Sequence, residues 1–282
     1  MKLQETGFDL PFGRITALRH GAPGRPKVMA LHGWLDNAAS FVPLAAALPE
    51  LDLVVPDLPG HGRSAHLAAG AEYTLGVTVN ALLDVADALG WEQFALLGHS
   101  MGAGIASILA ASVPQRVTRL VAIEALGALA ETPERTAIRL REGVAAARAL
   151  PGKQLRVFAD LAAPVRARMQ ANQLDEANAR LLVERGVVPV EGGYVWSSDP
   201  RLTLPTLQRL TEPQVRQLIA AIECPTRVIY ADPPQPYLPE PLRSERAGLL
   251  PDGELIVLPG THHLHMEIPA AVAAAIGGFF SA

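Results

Sequence analysis

The sequence predicts an α/β protein with a mostly parallel sheet that carries helices on both faces. Short runs that are apolar throughout recur along the chain, and stretches with helical spacing separate several of them. Runs without polar alternation are typical of strands that are buried on both faces. Strands alternating with helices are typical of parallel sheets, since each helix carries the chain back across the sheet.

The strands are predicted from these runs and from the turns between them. Residues 1 to about 25 predict two short strands, because Phe12-Gly13 and His20-Gly21 mark turns. Six apolar runs then predict strands buried on both faces: Val28 to Leu31, Leu51 to Val55, Phe94 to Leu97, Leu120 to Ile123, Val228 to Tyr230 and Leu255 to Leu258.

Helical stretches connect several of these strands, and one of them is long. Thr74 is a suitable N-cap for a helix that stops at Gly90. The stretch 127–222 is rich in Ala, Arg, Leu and Glu at helical spacing and contains no clear buried strand. We therefore expect a core domain made of residues 1–126 and 223–282, and a helical cap, residues 127–222, inserted over the strand ends.

The composition narrows the classes of function. Of the 282 residues, 49% are hydrophobic and 18% are charged, and the formal net charge is −4. Such a globular protein has no general attraction to nucleic acid or to anionic membranes. No apolar run is long enough for a transmembrane helix, and residues 1–6 lack the apolar segment of a secretory signal, so a cytoplasmic location is expected. Cys224 is the single cysteine, which excludes a disulfide within these residues and predicts a buried core thiol.

A candidate nucleophile lies in the segment Gly98-His99-Ser100-Met101-Gly102, which follows an apolar strand and opens a helix. The pattern G-x-S-x-G in this context is typical of a nucleophile elbow, a sharp turn that projects the serine hydroxyl above the sheet. Glycines let neighbouring segments approach closely, and the helix N-terminus stabilises developing negative charge. The motif predicts Ser100 as a nucleophile, with an incidental serine in a glycine-rich turn as the alternative.

Three further segments, taken with this elbow, resemble the α/β-hydrolase superfamily. Residues 31–34 (Leu-His-Gly-Trp) resemble its oxyanion loop, residues 57–64 resemble its D-x-x-G-x-G-x-S segment, and residues 260–262 (Gly-Thr-His) resemble its catalytic-histidine loop. The matches cover nearly the whole chain in the family's order. Residues 31–37 and 194–202 also resemble the serine hydrolase-like proteins, one branch of the superfamily. The resemblance implies the α/β-hydrolase fold and a serine hydrolase.

A serine nucleophile needs an imidazole base within hydrogen-bonding reach. His262, His263 and His265 follow the last apolar strand. The resemblance implies that His262, the first after the glycine turn, is the base, and we expect the other two to pack or hydrogen-bond locally. A metal site built from the three is the weaker alternative, because no adjacent carboxylate cluster has the spacing of metal ligands. Neither a metal nor a cofactor is expected.

The acid of the triad has two candidates. The family usually carries it in a G-x-x-D turn after the strand that follows the cap, but the matching stretch here is Ala231-Asp232-Pro233-Pro234, where Asp232 lies two positions early. Glu124 ends the strand before the cap, and some relatives, including a branch of the haloalkane dehalogenases, carry the acid at a similar position. A carboxylate at the tip of an apolar strand also needs a partner. We favour Glu124 and keep Asp232 as the alternative, with a dyad or another acid as the remaining options.

The remaining expectations concern the oxyanion hole and the reaction. The backbone amides of Met101 and Trp34 are expected to form the oxyanion hole. The whole set predicts hydrolysis of a small or medium, mainly apolar ester through an acyl-enzyme on Ser100. Hydrolysis of a lactone, thioester or C–C bond, perhydrolysis, and a catalytically inactive binding protein on the same scaffold are the alternatives. The expected partner is a small-molecule substrate, and no oligomeric state is predicted.

Overall fold

A computed structural model describes residues 3–21, 23–150 and 155–281. The strands are β1 (Gln4–Leu10), β2 (Gly13–His20), β3 (Lys27–Leu31), β4 (Asp52–Pro56), β5 (Phe94–His99), β6 (Val117–Ile123), β7 (Val187–Val190), β8 (Gly193–Trp196), β9 (Thr226–Asp232) and β10 (Gly253–Pro259). Eight of them form one sheet in the order β1-β2-β4-β3-β5-β6-β9-β10. β2 pairs antiparallel with β1 and β4, and all pairs from β4 to β10 are parallel. The predicted fold class is therefore confirmed.

Ten α-helices in the described part of the chain accompany these strands. They are α1 (Val42–Ala46), α2 (Leu75–Ala88), α3 (Met101–Ser112), α4 (Thr136–Ala149), α5 (Ala162–Asn172), α6 (Glu176–Gly186), α7 (Glu212–Ala220), α8 (Leu242–Ala247), α9 (Leu264–Glu267) and α10 (Pro269–Ile276). The Thr74 hydroxyl accepts a hydrogen bond from the Val77 amide at 3.3 Å, so α2 begins at its predicted cap. None of the described helices combines the length and the apolar character needed to cross a membrane.

The central strands are buried on both faces. In β5, Leu96 packs into the apolar cluster that includes residues of α2 and α3, and Leu97 packs into the cluster that includes residues of α1 and α10. Successive side chains of a strand point to opposite faces. Both faces of β5 must therefore be apolar, as the uninterrupted apolar run predicts.

The last strand differs from this prediction. Leu255 and Val257 of β10 are 38% and 46% exposed, whereas Ile256 and Leu258 pack against the cluster beneath α10. The expectation that Leu255 to Leu258 is buried on both faces is wrong, because β10 is an edge strand and only one of its faces is covered.

Residues 127–222 lie between β6 and β9 and contain α4 to α7, together with an antiparallel hairpin of β7 and β8 that the sequence pattern does not predict. This segment is tied to the loops of the sheet. Asn37 donates to the Leu182 carbonyl at 2.8 Å, and Arg185 pairs with Asp57 at 2.8 Å.

The division into a core and a cap stays a prediction. The predicted ranges also include residues 1–2, 22, 151–154 and 282, which lie outside the described residues.

Candidate active site

The candidate site residues follow the carboxyl ends of parallel strands. Residues 32–34 follow β3, Ser100 follows β5, Glu124 follows β6, Asp232 ends β9, and His262 lies three residues after β10. In a parallel sheet these ends lie along one edge, which is where ligands bind in open α/β sheets. The topology therefore collects residues that are far apart in the sequence.

The turn at Ser100 requires the glycines on either side of it. Ser100 has φ 53° and ψ −120°, a left-handed conformation that costs about 1–3 kcal/mol for a residue with a side chain. A Cβ at Gly98 would overlap the backbone of Ala103, and a Cβ at Gly102 would overlap the carbonyl of Leu31. The chain therefore turns sharply from β5 into α3, as expected for a nucleophile elbow.

The structure brings Ser100, His262 and Glu124 together. His262 Nε2 lies 2.9 Å from Ser100 Oγ, and His262 Nδ1 lies 3.1 Å from Glu124 Oε2. A carboxylate only accepts hydrogen bonds, so Nδ1 donates to Glu124 and Nε2 is free to accept the proton of the serine hydroxyl. This is the tautomer in which an imidazole can act as a base toward Ser100.

Glu124 is held in place from two sides. Its side chain is buried, at 3% exposure, and its Oε1 accepts a hydrogen bond from the Ala231 amide of β9. Its own amide donates to the Ile229 carbonyl at 2.9 Å. The backbone adopts φ 60°, a left-handed conformation that surrounding contacts must hold in place. The carboxylate is thus buried, fixed and directed at His262.

Asp232, the alternative acid, lies apart from this group. Its side chain is exposed at the end of β9, and its backbone carbonyl accepts from the Gly260 amide at 3.3 Å. Within the described part of the chain, no hydrogen bond or ion pair joins the Asp232 carboxylate to His262. The geometry therefore favours Glu124 over Asp232.

The two amides expected in the oxyanion hole belong to neighbouring segments. Met101 is the first residue of α3, so its N–H has no acceptor within the helix. Trp34 lies in a turn that the Asp36 amide closes by donating to the Gly33 carbonyl at 3.2 Å. The Trp34 indole donates to the Leu202 carbonyl at 2.9 Å, which links this loop to the segment 127–222. That the two amides act as oxyanion donors stays a prediction.

Three more histidines lie behind His262. His99 is fully buried and donates from Nε2 to the His262 carbonyl at 2.7 Å. Burial lowers the pKa of His99 well below its usual value, and the neighbouring histidines act in the same direction. The ring of His265 lies 4.0 Å from that of His99 between centroids, and His263 Nε2 contacts Asp36 at 3.2 Å. These contacts hold the histidine loop against the elbow.

Asp36, His99 and His263 form a buried group whose ligand atoms lie within 4.8 Å of one another, a spacing compatible with a shared metal ion. Both Asp36 oxygens already have partners, because Arg168 pairs with Oδ1 at 3.2 Å and His263 contacts Oδ2. Burial would raise the pKa of Asp36, but His263 and Arg168 lower it far below its ordinary value. The Asp36 carboxylate is thus already satisfied by protein partners.

Sequence reasoning missed Tyr237. Its hydroxyl lies 3.0 Å from Nδ1 and 3.3 Å from Nε2 of His262. No motif marks this residue, which lies in the segment between β9 and α8. The available signal was its place after a strand whose carboxyl end lies at the site edge, together with the unusual density of proline around it.

Comparison with known proteins identifies the family to which this fold belongs. The sequence model of the α/β hydrolase fold family matches residues 26–181. A serine hydrolase-like protein of Dictyostelium discoideum is 32% identical over 260 residues, which cover 87% of this chain and 72% of that protein. The crystal structure of a hypothetical protein from Pseudomonas aeruginosa PAO1 has a TM-score of 0.93 and 41% identity over 99% of both chains. A thioesterase domain from the curacin biosynthetic pathway has a TM-score of 0.85 and 26% identity, covering 98% of this chain and 99% of that one.

These similarities support a hydrolase. Together with the parallel sheet and the elbow at Ser100, they show that the chain belongs to the α/β-hydrolase fold family and resembles, within it, the serine hydrolase-like proteins.

Proposed function

We propose that this protein is a carboxylesterase that cleaves small or medium, mainly apolar esters through an acyl-enzyme on Ser100. One observation carries the proposal: the His262 imidazole contacts Ser100 Oγ through one nitrogen and the buried Glu124 carboxylate through the other. A serine hydroxyl is a weak nucleophile unless such a base removes its proton. The preference for apolar groups rests on the Ala, Leu and Val content of residues 127–222.

The proposed reaction has two halves. Ser100 Oγ attacks the ester carbonyl while its proton moves to His262 Nε2, and Glu124 stabilises the resulting imidazolium. The amides of Met101 and Trp34 bind the oxyanion, and a donor of this kind lowers the barrier by about 3 kcal/mol. The alcohol then leaves with the proton from Nε2. Water then attacks the acyl-enzyme while its proton moves to His262 Nε2. The carboxylic acid is released as Ser100 Oγ takes that proton back.

Thioester hydrolysis is the second candidate. It is favoured by the 26% identity to a thioesterase domain over nearly the whole chain. The same triad serves both reactions, since only the leaving atom differs, sulfur in place of oxygen. Comparing kcat/KM for a butyrate ester and a butyryl thioester of similar size separates the two substrate classes.

Labelling with a fluorophosphonate probe tests the nucleophile. We expect stoichiometric labelling of the full chain and none of Ser100→Ala. Ser112→Ala is the matched control, because Ser112 is an exposed residue at the end of the same helix, and it should label like the wild type. An intact, folded protein that does not label contradicts the proposal and favours the inactive binding protein. A series of p-nitrophenyl esters of increasing acyl length then measures the preferred substrate size.

A further inference from the structure

Tyr237 is presented to the site by a restrained loop. Residues 233–241 contain five prolines, and proline fixes φ, so the segment has few conformations to lose. The next residue, Leu238, is buried in the core. Arg243 donates to the Ala231 carbonyl at 2.7 Å and so joins the two ends of the loop. The position of the Tyr237 hydroxyl is therefore built into the fold.

The hydroxyl lies over the face of the His262 ring. It is nearly equidistant from Nδ1 and Nε2, and the planes of the two rings are 88° apart. A position in the imidazole plane at these two distances would overlap Cε1. The in-plane directions are taken by Ser100 and Glu124. The nitrogens of the imidazole therefore do not accept the hydroxyl proton of Tyr237, which stays available to another acceptor beside Ser100.

Tyr237 carries this proton at neutral pH. Burial raises the pKa of its hydroxyl above its usual value, and the negative charge of Glu124 acts in the same direction, while a hydrogen bond with Ser100 opposes them. Tyr237 as a whole residue is still 46% exposed, whereas His99 on the interior side of the triad is fully buried. Tyr237 thus lies on the solvent side of the triad, from which a substrate must approach.

We propose that Tyr237 is a further catalytic residue, which donates a hydrogen bond to the oxygen of the departing alcohol. This role rests on the proposed esterase function. When the tetrahedral intermediate collapses, the bond between the acyl carbon and the leaving oxygen breaks, and its electron pair passes to that oxygen. The oxygen takes the proton from His262 Nε2, while Tyr237 keeps its own proton. An oxygen that receives this proton lies about 3 Å from Nε2, next to the Tyr237 hydroxyl.

The substrate class follows from this role. A hydrogen bond to the leaving oxygen stabilises the transition state in proportion to the negative charge that develops there. An alkoxide is a far stronger base than a nitrophenolate and gains much more from a donor. Tyr237 therefore adapts the site to esters of ordinary, unactivated alcohols.

The test compares Tyr237→Phe on two esters with one acyl group. With ethyl butyrate we expect kcat/KM to fall about 10- to 100-fold, the range for a hydrogen bond to a charged group. With p-nitrophenyl butyrate we expect a change of less than about twofold. The control is Tyr194→Phe, a tyrosine of the β7–β8 hairpin, which should leave both values unchanged. Fluorophosphonate labelling releases fluoride, a weak base like nitrophenolate, so its rate should change by less than about twofold in Tyr237→Phe.

Three results would overturn the proposal. Equal losses on both esters, accompanied by slower labelling, would mean that Tyr237 only supports the position of His262. No loss on either ester would mean that the hydroxyl has no part in the reaction. A wild-type protein that neither labels nor hydrolyses either ester refutes the esterase function itself and this role with it, and the labelling of Ser100 distinguishes that case from the first two.

Discussion

Replacing Glu124 by glutamine should prevent His262 from acting as a base while the protein stays folded. The Ala231 amide donates to Oε1, so the new side chain must keep its carbonyl oxygen there and turn its NH₂ group toward His262 Nδ1. A donor at that position forces Nδ1 to accept, and the ring proton moves to Nε2. His262 then presents a donor to Ser100 Oγ and cannot take its proton. The opposite orientation of the amide is unfavourable, because it places two donors, the NH₂ group and the Ala231 N–H, against each other.

The expected loss follows from this change of tautomer. A carboxylate-to-amide change that leaves the geometry intact lowers kcat by about 10⁴ in a serine triad, or about 5.5 kcal/mol. We expect a loss of 10³- to 10⁴-fold for Glu124→Gln with p-nitrophenyl butyrate, and less than about twofold for Asp232→Asn, the control. Thermal unfolding of both variants checks that they are folded. Loss of activity in Asp232→Asn alone would refute the assignment of Glu124.

Two further predictions concern stability. Gly102→Ala places a methyl group against the Leu31 carbonyl and should lower the free energy of unfolding, measured in urea, by about 1–3 kcal/mol. The control is Gly76→Ala in α2, where a Cβ reaches only the Thr74 side chain, and it should raise the free energy of unfolding by up to about 1 kcal/mol. Equal stabilities of the two variants would contradict this account of the elbow. Burial lowers the pKa of His265 well below its usual value, so the folded protein keeps it neutral, while the unfolded chain protonates it below about pH 6.5. The stabilisation that follows from keeping His265 neutral is complete above that pH and is lost as the pH falls. The free energy of unfolding should decrease by about 1 kcal/mol between pH 7.5 and 5.5. His265→Leu should therefore flatten the dependence of the urea midpoint on pH over this interval, and an unchanged slope would contradict the neutral state.

The features that local chemistry determines were the predictable ones. The cap at Thr74 and the strand-to-helix turn at Ser100 depend on residues within one or two turns, and both lie where the sequence indicates. The exposed face of β10 was not predictable, because an apolar run is the same whether long-range pairing puts it at the centre or the edge of a sheet. The hairpin at Gly192 carried a visible signal, the dipeptide Gly192-Gly193, which the helical composition around it obscured. In the structure Gly192 adopts φ 82° in the two-residue turn between β7 and β8.

The relation between Glu124 and the β9 loop explains why the sequence alone left two candidates for the acid. β6 lies between β5 and β9, so a carboxylate at its end can face Ser100 on one side and the chain that follows β9 on the other. Here β9 supplies a backbone donor, the Ala231 amide, to the position that the carboxylate occupies. If Glu124 is the acid, as proposed, the β9 loop need not carry one, and its prolines are compatible with another task. That loop carries Tyr237, which we place beside the leaving oxygen that takes the proton from His262. A G-x-x-D motif at β9 and a glutamate at β6 are therefore alternative ways to hold one imidazole, and only the packing of the strand ends distinguishes them.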